Sequence, residues 1–459
     1  MGKTFRPYDL SQLLLLPPDL RQWLRPDHLA LYVSDIVEQL DLSAILNRYE
    51  EGRGQPPYHP QMMVKLLIYG YCVGKISSRK LEAATYDDVA FRVLSGNQQP
   101  DHASIAEFRK RHLAALAQLF VQVLQLCERA GLIKLGHVAI DGSKIKANAS
   151  KYRTMTYAGL SEAEQKLVAD VTRLLAEAER IDAAEDELYG KDKRGDELPE
   201  ELRDRESRLA RIRELKADLE QEAREAAAQQ AAAAKQKNEE HLRKAKERGK
   251  KPGRLAKVPD PEQALPKPKA RRNFTDIESR MMKDQATNTF VQGYNAQLGV
   301  DAQAQIIVAA TVVQAGNDQE QLLPVLLRVK QNLGQLPASV SADAGYFSSA
   351  AVTAAEIKTV AVHVPPNARE PQAWECEAPL TEQATVQQRM WHKLKSKEGA
   401  AVYNQRKAIV EPVFAYLKHV RGFRQFLLRG QARVEAEWLL MCLTHNLLKM
   451  FRARQLQNA

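Results

Sequence analysis

Cysteine is scarce in this sequence, and its placement excludes two kinds of site. The chain has four cysteines in 459 residues, Cys72, Cys127, Cys376 and Cys442, and no two of them form a Cys-x-x-Cys pair. Zinc fingers need such pairs, and small disulfide-stapled domains need far denser cysteine. We therefore expect neither, and a reducing, cytoplasmic setting is the default for this cysteine usage.

Long apolar runs are missing as well. A helix that crosses a bilayer needs about 20 consecutive apolar residues, and no stretch of the sequence approaches that length. We therefore expect no membrane segment. At 459 residues the chain is long enough for two or three domains with a full core.

Basic residues outnumber acidic ones. The formal net charge is +10, and ten Lys and Arg face only two Asp and Glu between Arg389 and Arg429. A polyanion would gain affinity for such a stretch by releasing counterions. Charge alone is also compatible with a ribosome-associated protein or with a basic protein that has no such partner.

Residues 1–130 have the periodicity of short helices. Apolar residues recur at helical spacing over 29–46, 60–73, 77–94 and 104–130, and Ser104 with Glu107 predicts a capping box at the start of the last helix. This pattern indicates an all-α N-terminal domain with a helix-turn-helix-like DNA-binding role. A helical bundle for dimerisation is the alternative.

A second helical region follows over 161–246. Its Ala, Glu, Lys, Arg and Leu content is typical of long helices, and the polar segment 190–199 predicts a turn between two of them. We expect an antiparallel helical hairpin, either solvated or used as an interaction scaffold. Residues 235–272 carry fourteen Lys and Arg against five Asp and Glu, which predicts a flexible basic linker, disordered without DNA.

Strand patterns flank this helical region. Apolar runs predict strands that end at Asp141 and Asp343 and further strands over 290–300, 305–313 and 359–364, with helices over 319–333, 351–357, 399–420 and 433–452. The order predicts an α/β fold, an RNase H-like domain with a mixed five-stranded sheet, interrupted by the long helical hairpin. The expected divisions are 1–130, 131–155, 156–272 for the insertion and linker, and 273–459.

Three acidic residues lie where such a domain places its chemistry. Asp141 and Asp343 each follow an apolar run, and Glu411 lies in the basic helical stretch. Carboxylates are the oxygen ligands that Mg²⁺ takes, so the three predict a site for two Mg²⁺ ions, with Mn²⁺ able to substitute. The structural alternative for Asp141 is an Asx turn before Gly142.

The motifs around these acids resemble a known family. Asp343-Ala344-Gly345-Tyr346-Phe347 resembles the D-x-G-aromatic-F signature of bacterial insertion-sequence DDE transposases. A second signature of that family, Y…R…E…K, is similar to Tyr403, Arg406, Glu411 and Lys418 here. Four residues separate Arg406 from Glu411, where the commonest form of the signature has three. The resemblance spans roughly residues 5–450.

The resemblance implies a set of roles. Asp141, Asp343 and Glu411 would be the catalytic and metal-binding residues. Double-stranded DNA would be the partner, with terminal inverted repeats as the specific substrate and a homodimer on DNA in a nucleoid-associated location. Helical offsets place Tyr403, Glu411 and Lys418 near one face. The expected DNA contacts are Tyr403, Arg406, Lys418, Lys144, Lys146 and Arg421.

The expected activity is hydrolysis of phosphodiester bonds at the element ends, followed by transfer of the freed 3′-OH ends to target DNA. Two-metal catalysis would serve both steps. The first alternative is an RNase H-like DNA endonuclease without strand transfer. The second is an inactive DNA-binding relic of a transposase.

Overall fold

The computed structural model describes residues 19–49, 56–189, 200–247, 253–284, 288–367 and 384–458. The chain divides into two compact units. One joins Met1–Ile145 to Asn295–Ala459, and the other is Lys146–Tyr294. The predicted domain limits stay predictions. The N-terminal helices belong to the same compact unit as residues 295–459.

Short helices make up the described N-terminal part, as the periodicity predicts. The helices are α1 (Leu29–Gln39), α2 (Ser43–Leu46), α3 (Pro60–Cys72), α4 (Ser78–Asp87), α5 (Val89–Leu94), α6 (His102–Arg111) and α7 (Leu113–Arg129). Three of the expected helices are each split, 29–46 into α1 and α2, 77–94 into α4 and α5, and 104–130 into α6 and α7. Asp88 ends α4 and caps α5 through its side chain. The predicted capping box at Ser104 is wrong, because Asp101 is the cap and accepts a hydrogen bond from the Ser104 amide at 2.6 Å.

Within the described ranges the strands are β1 (His137–Lys146), β2 (Thr154–Thr156), β3 (Arg271–Asn273), β4 (Arg280–Asp284), β5 (Thr289–Asp301), β6 (Ile307–Val313), β7 (Ser339–Ser341) and β8 (Ala361–His363). Five of them form the order β6-β5-β1-β7-β8, and β4 also pairs with β5. β5 and β6 are antiparallel, whereas β1, β7 and β8 are parallel neighbours. The predicted mixed sheet with an RNase H-like layout is confirmed.

Helices cover this sheet. They are α10 (Leu322–Leu333), α11 (Ser349–Val352), α12 (Val386–Lys395), α13 (Lys397–Ala415) and α14 (Gln431–Asn458). α14 packs on β6 and also on α3 and α7, so it joins the sheet to the N-terminal helices. Its Trp438 is fully buried between Phe414 and Phe423. No helix in the described ranges is both long and apolar enough to cross a membrane.

Arg421 is part of this joint, which corrects its expected role. The side chain is buried, and its guanidinium donates hydrogen bonds to the Tyr71 and Met441 carbonyls and to the Thr444 hydroxyl. A guanidinium committed to buried acceptors has no donor left at the surface for a phosphate. Arg421 therefore ties α3 to α14, and the prediction that it binds DNA is wrong.

The second unit contains the expected pair of long helices. α8 spans Tyr157–Tyr189 and α9 spans Glu200–Glu247. The Tyr157 hydroxyl donates to Glu220 at 2.8 Å, and Lys216 pairs with Glu164 at 3.0 Å. Because residues further along α8 meet residues earlier in α9, the two helices are antiparallel. Leu160, Ile212, Leu215 and Leu219 form the core between them. The predicted turn over 190–199 lies outside the described residues.

The stretch predicted as a flexible linker has defined structure where it is described. Residues up to 247 continue α9, and residues 253–270, which we name the strap, run back along that helix. Asn238 fixes this return through two hydrogen bonds with Ala256, from its amide to the carbonyl at 2.9 Å and from the backbone amide to its oxygen at 2.7 Å. Charge alone therefore misjudged this segment, because the polar Asn side chain of α9 supplies the backbone of the strap with partners.

Candidate active site

Asp141 lies within β1, which continues to Lys146, so the predicted strand end at Asp141 is wrong. Asp343 lies two residues after the last residue of β7, the parallel neighbour of β1. Ala139 of β1 lies opposite Ser341 of β7, so each aspartate lies two residues further on in the same register. His137 reinforces that register, because its two ring nitrogens lie 2.8 Å from the Ser339 hydroxyl and 2.9 Å from the Ser341 hydroxyl. Burial lowers the pKa of His137 to about 4, which keeps the ring neutral between them.

Asp141 is mostly buried, with 21% of its side chain exposed. Its pKa is raised to about 6, chiefly by burial; Arg406 and the Gly142 amide oppose this rise, and the nearby carboxylates of Asp343 and Asp318 add to it. The amide contact, at 2.9 Å, comes from the next residue in the strand. The carboxylate thus lies in a setting where a second positive charge would be favourable.

Asp343 caps a short 3-10 turn over Ala344–Tyr346. Its carboxylate accepts a hydrogen bond from the Gly345 amide at 2.9 Å, and a Cβ at Gly345 would lie 3.0 Å from the same oxygen. Burial raises the pKa of Asp343, and the charge of Asp318 adds to that effect while Arg406 opposes it. The D-x-G part of the motif therefore orients the carboxylate.

Arg406 is the cation nearest to this pair. Its guanidinium lies 3.6 Å from the Asp141 carboxylate, and only 9% of its side chain is exposed. It also acts on Asp343 and on the half-buried Tyr403, whose pKa is raised by burial and lowered by the arginine. The structure thus brings together four of the sequence-predicted site residues, Asp141, Asp343, Arg406 and Tyr403.

Asp318 is a site residue that the sequence analysis missed. It follows β6, and its carboxylate accepts hydrogen bonds from Asn295 at 2.6 Å and Gln297 at 2.7 Å. Lys144 forms an ion pair with it at 3.3 Å, and both side chains are more than four-fifths buried. The available signal was the spacing of Asn295 and Gln297, two polar residues on one face of an otherwise apolar strand.

Gly142 allows this carboxylate to approach β1. A Cβ at position 142 would lie 2.8 Å from an Asp318 oxygen and would collide with the Gln297 amide nitrogen. Gln297 in turn accepts a hydrogen bond from the buried Tyr346 hydroxyl. Gln297 therefore contacts both Gly142, which follows Asp141, and Tyr346, the aromatic residue of the Asp343 motif.

The remaining basic residues of the prediction lie close by or at the surface. The Lys418 ammonium donates to the Ser143 hydroxyl and lies 3.5 Å from the Lys144 carbonyl, so it lines the end of β1. Lys144 is held by Asp318. Lys146, the last residue of β1, is exposed.

Glu411 is not placed with the two aspartates. Its side chain is exposed, whereas Arg406 on the same helix is buried. Five residues along an α-helix correspond to a rotation of about 140°, so the two side chains leave α13 on different faces. The charged groups that act on Asp141 are Arg406, Asp343 and Asp318. Those that act on Asp343 are Arg406, Asp318 and Lys144.

The aspartate pair fits a divalent cation in its chemistry. Its oxygen donors are the kind that Mg²⁺ takes. Burial is the main cause of the raised pKa of both groups, and a bound cation would favour their charged forms. Among the described residues, no three His, Cys, Asp or Glu side chains surround one point at metal-binding range.

Comparison with known families gives one match in the N-terminal part of the chain and one in the C-terminal part. Residues 18–111 match the transposase domain DUF772, and residues 263–447 match the transposase DDE domain. The chain belongs to the DDE transposases. The second match includes Asp343 and Glu411, whereas Asp141 lies between the two matched ranges. No curated protein and no solved structure matches the chain.

Membership gives the site its general chemistry. DDE transposases are phosphoryl-transfer enzymes that act on DNA and generally use divalent metal ions. In this transposase the match to the DDE domain covers β3 to β8. The first strand of the sheet, β1, precedes the helical insertion and lies outside the match. The resemblance of the two sequence motifs to this family is therefore confirmed.

Proposed function

We propose that this transposase binds the terminal inverted repeats of its insertion sequence, hydrolyses a phosphodiester bond at each end and joins the freed 3′-OH to target DNA. The observation that supports the proposal is the position of Asp141 and Asp343, each two residues beyond the last paired residues of the adjacent parallel strands β1 and β7, with Arg406 beside Asp141. Divalent ions bound there would supply Lewis-acid activation of the attacking oxygen.

The protein groups of the site have separate proposed tasks. Asp141 and Asp343 hold the metal ions. Arg406 neutralises charge between the aspartates and keeps Tyr403 at the rim, where its hydroxyl can meet the DNA backbone. Lys418 and Lys144, both at the end of β1, place positive charge where a phosphate would approach. Lys146 extends that positive edge into solvent.

Glu411 remains the proposed third catalytic and metal-binding residue. Its exposed position means that it has to approach Asp141 through a change in α13. Pro412 and the π-helical turn over Tyr416–Val420 interrupt regular hydrogen bonding just after it, and such turns are frequent at functional sites. Asp318 is the rival, since it already influences both aspartates.

The test is a Mg²⁺-dependent cleavage and strand-transfer assay with DNA carrying the inverted repeats that flank the gene. Wild type is compared with Asp343→Ala, Glu411→Gln and Asp318→Asn. Joined products from wild type and none from Asp343→Ala are expected, with Glu411→Gln as inactive as Asp343→Ala and Asp318→Asn retaining measurable joining. If Asp318→Asn is dead and Glu411→Gln is active, Asp318 is the third acid.

The same assay separates the alternatives. Nicked DNA without joined products would assign the protein as an endonuclease, and end binding with neither reaction would make it an inactive relic. A gel-shift measurement on the same DNA controls for loss of binding in each variant. The homodimer on DNA is tested by sedimentation of that complex, where two chains per pair of ends are expected.

A further inference from the structure

The second unit has a feature that the catalytic site does not use. α9 passes the start of α8 near residues 218–222 and continues for more than six turns beyond it, with 253–270 running back alongside. Arg272 of β3 marks the crossing point, since it is buried and donates to both Asp218 and Glu222. We name residues 235–247 together with 253–270 the basic arm.

Charge is distributed unevenly along this unit. α8 contains nine acidic residues and three basic ones, and the part of α9 over 200–225 contains nine acidic and seven basic. Residues 226–234 are only Ala and Gln, and 235–272 then holds fourteen basic residues against five acidic. Along the chain, the unit thus changes from acidic to basic character across an uncharged spacer in α9.

The cations of the basic arm point to solvent. Their side chains are exposed at Lys235, Lys237, Arg243, Lys244, Lys246, Arg254, Lys257, Lys267 and Lys269. Of the ion pairs within the arm, Lys244 with Glu240 and Arg243 with Glu247 are single helical pairs at the surface, which are worth little. The arm also has five exposed acidic residues, so its nine exposed cations against five acids give it a net charge of +4. An exposed cationic surface on folded backbone is suited to a polyanionic ligand.

We propose that the basic arm is a binding surface for the phosphate backbone of duplex DNA, separate from the site of Asp141 and Asp343. This inference rests on the proposed function, because it takes DNA as the polyanion present. Double-stranded DNA carries one negative charge per about 1.7 Å of its axis, and the folded backbone of the strap removes the backbone part of the ordering cost of binding. The acidic part of the same unit would repel the duplex.

The test replaces four cations of the strap by Gln, in Arg254→Gln, Lys257→Gln, Lys267→Gln and Lys269→Gln combined. The matched control removes four exposed cations from the acidic part of the unit, Lys166→Gln, Arg173→Gln, Arg208→Gln and Arg224→Gln. Both lower the net charge by four. Affinity of the full-length chains for a fluorescent duplex without inverted repeats is measured by anisotropy across a salt series, after thermal unfolding has shown that both variants fold.

The strap variant is expected to bind at least about tenfold more weakly at physiological salt and to lose up to about 3–4 units of salt-dependence slope, at roughly 0.9 per phosphate contact. The control should match wild type within twofold. Equal affinity and slope for the strap variant and the control would overturn the proposal. So would intact DNA affinity with a loss of self-association in sedimentation, since that would assign the arm to a second copy.

Failure of the proposed function looks different. A wild-type chain that binds the duplex through the strap but yields no joined products would remove the transposition proposal and leave the basic arm standing. A strap variant with unchanged duplex binding, in a chain that joins DNA ends, would do the reverse.

Discussion

Three arginine and lysine side chains with similar sequence surroundings have different roles here. Arg406 faces the aspartates, Lys418 lines the end of β1, and Arg421 is locked among buried carbonyls. All three lie in the same basic stretch, so charge density could not separate them. Burial and partner geometry do, because a guanidinium that satisfies buried acceptors is unavailable to DNA.

Replacing Arg421 should therefore change stability and leave DNA contact alone. Arg421→Lys keeps the charge but cannot reach all three acceptors, so the unfolding free energy should fall by about 2–4 kcal/mol. Urea unfolding measures this, and the salt slope of DNA binding at a temperature where the variant is folded should equal that of wild type. A slope reduced by about 1 with unchanged stability would restore Arg421 as a phosphate contact.

Asp318 is expected to act through the residues it holds. Asp318→Asn keeps the shape but removes the charge that pairs with Lys144, so the groups beside Asp141 lose their fixed positions. Turnover should fall by about 10- to 100-fold while DNA affinity stays unchanged, and raised Mg²⁺ should recover part of the rate. The exposed neighbour Glu320→Gln is the control. Loss of DNA binding in Asp318→Asn with normal turnover would contradict this role.

At the scale of the element, α14 contains two buried groups with opposed pH behaviour. Burial raises the pKa of Glu437 to about 7, although the amides of Leu427 and Leu428 donate to it. Burial lowers the pKa of His445 to about 3, where its ring contacts the Gln305 carbonyl. His445 therefore makes the fold less stable as the pH falls below 6.5, the pKa of this histidine in the unfolded chain, because the unfolded chain binds the proton first.

Glu437 should make the fold less stable as the pH rises from its unfolded pKa of 4.5 to about 7, because the unfolded chain loses its proton first. The expected loss is on the order of 3 kcal/mol. Glu437→Gln keeps an oxygen for the two amides and should remove this slope, so that the variant gains on wild type between pH 5 and pH 8 in urea unfolding. A constant difference between the two proteins across that range would show that Glu437 is charged in the fold.

Some elements could be predicted from sequence because their pattern is local. The apolar runs before Asp141 and Asp343 specify buried strands, and the motif D-x-G specifies the turn that orients Asp343. Other features depend on distant partners. The ordering of the strap depends on Asn238, and the importance of Asp318 depends on Gln297 and Lys144, which lie far away in the chain.

The offset argument for α13 shows a limit of another kind. In a projection down the helix axis, Tyr403, Glu411 and Lys418 lie within one broad sector of the helix surface. Arg406 lies at the opposite edge of that sector from Glu411. The burial of Val410, Val413 and Leu417 decides which part of the sector faces the sheet, and those residues leave Glu411 outside. Periodicity therefore identified the helix but could not fix its rotation about its own axis.

For the whole molecule, the strand pair β2 and β3 shows where the insertion can be removed. Thr156 lies opposite Arg271 in an antiparallel register, so the ends of the inserted segment are adjacent. Replacing 157–270 by Asn-Gly would close a two-residue hairpin. We expect this shortened chain to fold, with a cooperative melt and native-like circular dichroism. Aggregation on expression would show that the sheet depends on the inserted helices.

Cutting at the predicted boundary after residue 130 should be far less tolerated. A fragment 131–459 would expose the face of α14 that packs on α3 and α7, including Met441 and Cys442, both fully buried. We expect it to be insoluble alone and to be rescued by co-expression with 1–130. A soluble, monomeric fragment with a cooperative unfolding transition would establish an independent domain instead.

The length of α9 gives its change of charge a directional consequence. A helix of 48 residues is a stiff rod of about 72 Å, about two turns of B-DNA. In the field of a nearby duplex, one end of the rod is pulled inward and the other pushed away. The resulting torque would tilt the rod, so that its basic end lies against the duplex and its acidic end is held away from it.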